Sequence, residues 1–220
     1  MDIQILLRTP LFSGVLAKDL EPLMTAMEAT QRHFSKGETI LQPGTHTTRL
    51  YLVLSGGVTV ENHDAWGNRT ILGHVAPGEV FGETYACLPH QPMMVGAVAS
   101  QDTALLGLST SALLEKSCPH QELILRNLLR ITAEKNLALS RRIFYSSSKT
   151  IRGRLMSYLS DQAVLRGSLT FSIPFDRQQL ADYLGVDRSA LSNELSKLRR
   201  EGLLTVRKNQ FSLLTQSELP

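Results

Sequence analysis

Residues 174–214 contain two helices whose ends are marked by local signals. Asp176 and Asp187 are residue types that cap helix N-termini, and each precedes a run with apolar residues three or four positions apart. Gly185 separates the two runs, and Gly202 follows the second at the position where glycine commonly ends a helix. A helix of about eight residues, a short glycine-containing turn and a longer helix form the helix-turn-helix pattern.

The second of these helices carries polar side chains opposite its leucines. In a helix-turn-helix, the first residues of this helix reach base edges in the major groove, where Arg can pair with guanine and Asn with adenine. The alternation in LLTVRKNQFSLL predicts a hairpin, or wing, around Lys208–Asn209. We therefore predict a DNA-binding surface formed by Arg188, Ser189, Ser192, Asn193, Lys197, Arg200, Arg207 and Lys208. An ordinary helical pair with a solvated cationic face is the alternative.

The charge of the chain is unevenly distributed. Residues 1–146 hold 12 Lys and Arg against 13 Asp and Glu, whereas residues 147–220 hold 11 against 7. A basic module joined to a near-neutral one favours a polyanionic partner. Two cysteines, no secretory leader and no long apolar run predict a cytoplasmic protein that does not enter a membrane.

The segment from about Arg32 to Leu108 is rich in β-branched residues and punctuated by glycines. Short strands with turns between them predict an antiparallel sandwich, barrel or jelly roll, with a hairpin turn at DAWGN, residues 64–68. Residues 12–32 read as short helices before it, and a short helix over Ser109–Lys116 follows it. MMVGAVAS, residues 93–100, reads as one of the strands.

A long helix is predicted from about His120 to Tyr145, with Pro119 in its first turn. It is too long for one small domain to cover, and Ile124, Leu128 and Ile131 form a stripe that can face inward. A second stripe has the spacing of a two-stranded coiled coil and predicts a homodimer. That seam consists of Leu125, Leu129, Thr132, Asn136, Leu139 and Ile143. The polar stretch FYSSSKT, residues 144–150, reads as a hinge.

These features together resemble the Crp/Fnr family, named for the cyclic-AMP receptor protein and the fumarate-nitrate regulator. The resemblance rests on KGETILQPG, LYLVLSGGVTV, PGEVFGE, IRGRL and the helix-turn-helix, in that order. It implies an α+β fold with an effector-binding jelly roll over 1–118, a dimerisation helix over 119–146 and a winged-helix DNA-binding domain over 147–220. It also implies a homodimer that regulates transcription from an inverted-repeat site in double-stranded DNA. RNA polymerase is a further partner if the protein activates.

The resemblance also directs attention to the turn after FGE. In the cyclic-nucleotide members this turn holds the cyclic phosphate, with an Arg-Ser or Arg-Thr pair contacting it. Gly82 and Glu83 match, but Met93-Met94 stands where the pair is expected, and no Lys or Arg occurs from Ile71 to Leu114. We therefore predict an effector other than cyclic AMP. A less polar pocket would be lined by Phe81, Gly82, Glu83, Tyr85, Met93, Met94, Thr132, Lys135 and Asn136. Alternatively, the two methionines are strand residues, one in the core and one outward.

The cysteines and histidines bear on three other classes of protein. The N-terminal cysteine cluster of the iron-sulfur members is missing. Cys87 and His90 are spaced as a possible haem or metal pair, and Cys87 could be a redox thiol, which leaves a haem- or thiol-based sensor open. A cupin-like enzyme would need clustered histidines, and the histidines here are single and widely spaced. We predict no enzymatic activity, no resident cofactor and no metal site.

Overall fold

The computed structural model of the protein describes residues 3–63, 69–88, 90–114 and 118–214. Contacts within the chain divide it into two compact units, Met1–Ala133 and Glu134–Pro220. The predicted turn at 64–68 and the end of the predicted helix at Lys116 lie outside the described residues. None of the helices in the described ranges is long and apolar enough to cross a lipid bilayer.

The first unit is built on antiparallel strands arranged in two four-stranded sheets. One sheet has the order β1-β8-β3-β6 and the other β2-β7-β4-β5. The strands are Thr30–Phe34 (β1), Thr39–Leu41 (β2), Arg49–Ser55 (β3), Val58–His63 (β4), Arg69–Val75 (β5), Val80–Phe81 (β6), Gly96–Ala99 (β7) and Thr103–Ser109 (β8). Val53 and Leu105 from one sheet pack with Val58 and Ala99 from the other, so one apolar cluster of the unit lies between the sheets. This confirms the predicted jelly-roll architecture.

The turn between β3 and β4 depends on a glycine. Gly56 has φ +84°, and a Cβ built on it would lie 2.4 Å from the carbonyl oxygen of Asp102 and 2.6 Å from Cα of Thr103. No other residue type has both the required backbone freedom and the space.

This unit also contains five helices in its described residues, before, between and after the strands. They are Ile3–Leu7 (α1), Ala17–Ala26 (α2), Glu83–Ala86 (α3), Ser111–Leu114 (α4) and Gln121–Ser146 (α5), the last of which continues into the second unit. The prediction of helices up to residue 32 was wrong, because Thr30 already begins β1. The start predicted for the helix over Ser109–Lys116 was also wrong, because Ser109 ends β8.

The long helix has the predicted length, but it begins one residue later than expected. His120 has φ +55°, so the helix begins at Gln121 and Pro119 lies outside it. The inward stripe is as predicted: Ile124, Leu128 and Ile131 are buried in the apolar cluster that includes the first two helices and strands β3 and β8. One face of the helix is therefore part of the first unit's core.

The second unit is a winged helix-turn-helix, as predicted. Its elements are Ile151–Arg166 (α6), Thr170–Ser172 (β9), Arg177–Leu184 (α7), Arg188–Arg200 (α8), Leu204–Arg207 (β10) and Gln210–Leu213 (β11). The strands form one antiparallel sheet in the order β10-β11-β9. Its buried core joins apolar residues of the helices to Phe171 and Phe211 on the sheet.

The last turn of α5 contributes to this second core. Tyr145 is only 2% exposed and packs with Tyr158 and Tyr183. The break predicted at Phe144–Thr150 is therefore shorter than expected, because α5 remains helical to Ser146. Thr150 then caps α6, with its side chain accepting a hydrogen bond from the backbone N–H of Gly153 at 3.0 Å.

Candidate nucleic-acid interface

The first helix of the helix-turn-helix begins with a reciprocal cap. The Asp176 carboxylate accepts a hydrogen bond from the backbone N–H of Gln179 at 2.8 Å, and the Gln179 side chain accepts one from the Asp176 N–H at 2.8 Å. Gly185, with φ +63°, ends the helix in the left-handed region. These local signals fix both ends of α7 at the predicted residues.

The second helix is capped by Asp187, whose carboxylate accepts a hydrogen bond from the backbone N–H of Ala190 at 2.9 Å. The Ser189 hydroxyl also donates to this carboxylate. Hydrogen bonds from Ser189 and then from the Ala190 amide lower the pKa of Asp187 below its ordinary value. Gly202 follows the helix with φ +71°. The cap is thus charged at neutral pH, at the end of the helix where the macrodipole favours negative charge.

Helix α8 has a buried apolar face and an accessible polar face, as the sequence predicted. Leu191, Leu195 and Leu198 are buried against the rest of the unit. The opposite face is solvent-accessible and includes all the predicted contact residues of this helix, of which only Ser192 is half-buried: Arg188, Ser189, Ser192, Asn193, Lys197 and Arg200. The structure therefore brings these six together on one accessible surface.

The polar side chains of this surface differ in how far they are already engaged. Ser192 donates to the carbonyl of Arg188 at 2.9 Å, and Lys197 lies 3.7 Å from the Glu194 carboxylate. Within the described residues, the side chains of Arg188 and Asn193 take part in no hydrogen bond or ion pair. Arg188 and Asn193 therefore have their full donor sets available for a partner.

The wing is a β-hairpin with a two-residue turn, as predicted. Arg207 pairs with Gln210 across the turn formed by Lys208 and Asn209. The Asn209 side chain donates to the carbonyl of Ile173 at 2.9 Å, which fastens the turn to the segment before α7. Arg207 and Lys208 are both exposed. The wing therefore presents two cations at a fixed position beside the helix-turn-helix.

An ion-pair network behind α8 was missed from the sequence. Arg152 on α6 pairs with Glu201, with Nη1 3.2 Å from Oε1, and lies 4.0 Å from Glu194. These partners are 42 to 49 residues apart in the chain, and nothing in the local pattern of either segment indicates the pairing. The network joins α6 to the back of the helix that carries the predicted base-reading residues.

In the first unit, the turn after FGE has the conformation that its glycine requires. Gly82 has φ +76° and precedes the short helix α3, and Glu83 is buried. Phe81 is also buried, with its ring stacked on Tyr51 at a centroid distance of 5.4 Å. Phe81 is thus engaged in core packing.

The two methionines lie before strand β7, so the interpretation of both as strand residues was wrong. Met93 is 3% exposed, and its backbone bonds to Thr45 and Gly44, with N–O distances of 2.8 and 2.7 Å. Met94 is 76% exposed, and its N–H donates to the Tyr85 hydroxyl at 3.2 Å. One thioether thus faces inward and the other outward, and neither can donate a hydrogen bond to a phosphate.

The predicted effector residues on α5 are polar and partly or fully exposed. The Thr132 hydroxyl donates to the carbonyl of Leu129 at 2.9 Å, and Asn136 accepts from Ser140 at 3.4 Å. Lys135 is half-buried. The grouping of these three residues with the FGE turn stays a prediction.

The predicted seam of α5 is largely an exposed apolar stripe. Leu129, Leu139 and Ile143 are 69%, 60% and 71% exposed, and Asn136 is exposed between them. Leu125 differs, because it is half-buried and packs against the core of the first unit. The stripe is therefore distinct from the inward stripe along most of its length.

Cys87, at the end of α3, is a free and half-buried cysteine. Desolvation, and then the nearby Glu83 carboxylate, raise the pKa of its thiol. Little thiolate therefore forms near neutral pH, which disfavours a reactive redox thiol. The described residues contain no cluster of three or more His, Cys, Asp or Glu suited to a metal ion.

Two domain families match the chain, one in each half. The cyclic nucleotide-binding domain matches residues 31–116, and the Crp-like helix-turn-helix domain matches residues 153–219. The chain belongs to the Crp/Fnr family of transcription regulators. It is a DNA-binding transcription regulator of that type, and the family resemblance seen in the sequence is confirmed.

Individual members of the family are similar over most of their length. The nitrogen fixation regulation protein FixK of Bradyrhizobium diazoefficiens is 27% identical over 188 residues, which cover 83% of this chain and 77% of that protein. The cyclic AMP receptor protein of Thermus thermophilus is 27% identical over 198 residues, covering 89% and 88%. A solved CRP/FNR-family transcriptional regulator from Thermus thermophilus is 25% identical, covers 86% and 95%, and superposes with a TM-score of 0.52. By their names, these relatives are regulators or receptors.

Proposed function

We propose that the protein acts as a homodimer on an inverted-repeat operator and responds to a small molecule other than cyclic AMP. The observation that carries the DNA-binding part is the accessible face of α8, on which Arg188 and Asn193 keep unengaged donors. Their position on the first turns of the second helix is where a helix-turn-helix reads base edges. We infer direct readout by these two residues and phosphate contacts by the cations further along.

The homodimer is proposed from the exposed stripe on α5. Leu129, Leu139 and Ile143 share coiled-coil spacing, and each leaves more than half of its side chain in water. A second copy of the helix would bury them, with Asn136 as the polar residue that sets register. Two-fold symmetry then requires an inverted repeat whose half-sites lie about one helical turn, or about 34 Å, apart.

The effector proposal rests on the chemistry of the FGE turn. A cyclic phosphate there would need a cation or several donors to replace its hydration, and the matching position holds the buried thioether of Met93. Similarity does not decide the effector, because two relatives are both 27% identical to this chain and only one of them, the cyclic AMP receptor protein, has an effector in its name. We therefore propose a less polar ligand in this unit.

Two further elements of the proposal follow from DNA binding. RNA polymerase is a partner if the operator lies where a bound dimer can touch it. The site of action is the bacterial cytoplasm, where the DNA is, and both free cysteines fit its reducing conditions.

The test is selection of duplexes from a random-sequence library by the full-length protein, with the molar mass of the protein and of its complex measured by light scattering. We expect a dimer bound to a selected inverted repeat. A half-site identical to the best-known family consensus would contradict the readout by Asn193, since the family commonly places Arg there. A monomer bound to a single half-site would contradict the symmetric operator.

A further inference from the structure

The carbonyl end of α7 directly precedes the turn that leads into α8. The last carbonyls of a helix have no partner within the helix and must be satisfied from outside. Here Val186 N–H donates back to Ala181 at 3.0 Å and Gly185 N–H to Asp182 at 3.3 Å. The carbonyls of the final residues remain, and two arginines from other elements donate to them.

Arg154, on α6, binds the end of α7 and the first residue of this turn. Its Nη1 donates to the carbonyls of Leu184 and Gly185 at 3.2 and 2.9 Å. Its Nε donates to the carbonyl of Ser148, in the segment that joins α5 to α6, at 2.8 Å. One guanidinium thus connects the helix-turn-helix turn to the segment that follows the long helix.

Arg142, on α5, reaches the same helix end from the other direction. Its Nε donates to the carbonyl of Tyr183 at 3.3 Å, and its Nη2 lies 3.5 Å from that of Asp182. The guanidinium also lies over the Tyr183 ring, 5.6 Å from the centroid. A cation at a helix C-terminus is favoured by the macrodipole as well as by the hydrogen bonds.

We propose that Arg142 and Arg154 are positioning residues for DNA recognition, which hold the turn before α8 against the end of α5. Both guanidiniums are committed to backbone carbonyls, so they act through the placement of α8 and not through contacts with phosphate. This inference rests on the proposed operator binding and adds to it the residues that orient the reading helix.

Two neighbouring contacts keep these arginines in place. Tyr145 lies one turn after Arg142 on α5. Its hydroxyl donates to the Asp161 carboxylate on α6 and so joins the two helices. Gly153 lets the Ser148 side chain approach α6, since a Cβ on Gly153 would lie 2.0 Å from the Ser148 hydroxyl oxygen. The last turn of α5, the joining segment and the start of α6 therefore form a packed support behind the helix-turn-helix.

The test compares Arg142→Ala and Arg154→Ala with Arg141→Ala in the full-length protein. Arg141 is the matched control, because it has the same charge on the same helix and no hydrogen bond from its side chain in the described part of the chain. Affinity is measured for the duplex selected by the wild-type protein and for a duplex of unrelated sequence, each over a series of salt concentrations.

We expect each positioning variant to lose about tenfold in affinity for the selected duplex, with unchanged affinity for the unrelated one and an unchanged salt slope. An equal loss on both duplexes, with a slope smaller by about one phosphate contact, would show direct backbone contacts and overturn the proposal. Wild-type affinity in both variants would overturn it as well. If the wild-type protein selects no duplex, the proposed operator fails, whereas this inference is then decided by amide exchange.

Amide hydrogen exchange in the absence of DNA gives that second readout. Peptides covering residues 182–187 should exchange faster in Arg154→Ala than in the wild type, and as slowly as the wild type in Arg141→Ala. Arg154→Lys keeps the charge but not the forked geometry, so its exchange rate should lie between those of the wild type and Arg154→Ala. If Arg154→Ala does not fold, wild-type exchange and wild-type operator discrimination in Arg154→Lys would count against the proposal.

Discussion

At the scale of single residues, the polar side chains of α8 differ in whether their hydrogen-bond donors are already used within the protein. Ser192 donates its hydroxyl proton to its own helix, and Ser189 donates to the Asp187 cap, so both can act towards DNA mainly as acceptors. Arg188 and Asn193 keep all their donors. Sequence discrimination should therefore be concentrated in these two residues.

Arg188→Ala should lose discrimination at one guanine of the half-site, by about 1–3 kcal/mol, because a bidentate pair with that base is removed. Affinity for the selected duplex and for single-base variants of it measures this loss. Lys208→Ala is the control at the wing. It should weaken all duplexes alike and lower the salt slope by about 0.9. If both variants lowered the affinity for all duplexes by the same factor, the division into base-reading and phosphate-contacting residues would be wrong.

The Asp187 cap makes stability depend on acid. Because its pKa is lowered in the folded state, its charged form stabilises the fold above the ordinary value of 3.8, and this contribution is lost as pH falls through the lowered pKa. In Ser189→Ala, which removes the largest cause of the shift, the loss should occur at higher pH. Thermal unfolding of the two proteins between pH 2 and pH 6, a range set about the ordinary carboxyl pKa, would show the displacement. If the wild type and Ser189→Ala showed the same dependence of melting temperature on pH, the stabilising role of the Asp187 charge would be contradicted.

At the scale of elements, the helices with capped ends were predictable because caps are local. Asp176, Gly185 and Asp187 set the bounds of α7 and α8 within a few residues of themselves. Strand β9 was missed, because its three residues gain their structure only by pairing with β11, about 40 positions away. Arg142 and Arg154 were missed for a related reason: their acceptors are backbone carbonyls, which no side-chain pattern marks.

The exposed stripe of α5 can be tested with paired substitutions. Leu139→Asp places a charge in the proposed seam and should convert the dimer to a monomer with little change in secondary structure. Leu137→Asp is the matched control, since Leu137 is 53% exposed on the same helix but outside the seam. Molar mass by light scattering at several concentrations distinguishes them. If the two variants have the same mass as the wild type, another surface holds the dimer.

At the scale of the whole molecule, the proposed regulation is a coupling between effector binding in the first unit and DNA binding in the second. A ligand shifts DNA affinity only by binding one state better than the other. The strand assignment of the methionines was wrong, because the loop conformation of Met93 depends on backbone hydrogen bonds to a distant segment that includes Thr45. Their placement, one inward and one outward, agrees with the alternative drawn from the sequence. The missing cation of this turn, by contrast, is visible in the sequence alone.

Cyclic AMP should therefore leave the protein unchanged. Calorimetric titration should give no binding heat, and affinity for the selected duplex should be the same with and without the nucleotide, since no Lys or Arg between Ile71 and Leu114 replaces the arginine of the expected Arg-Ser pair. The cyclic AMP receptor protein of Thermus thermophilus is the positive control by its name. Saturable binding with a change in DNA affinity would show that another group holds the phosphate.

Finally, the burial of Tyr145 determines where the protein can be cut. A fragment that begins at residue 147 lacks this ring and the hydroxyl that donates to Asp161, and by comparison with truncation of a buried aromatic it should lose about 3–5 kcal/mol. A fragment of residues 134–220 keeps the ring and Arg142, and should unfold cooperatively at a higher temperature. Equal melting temperatures would contradict this. The smallest portable DNA-reading module of this regulator therefore carries part of the long helix with it.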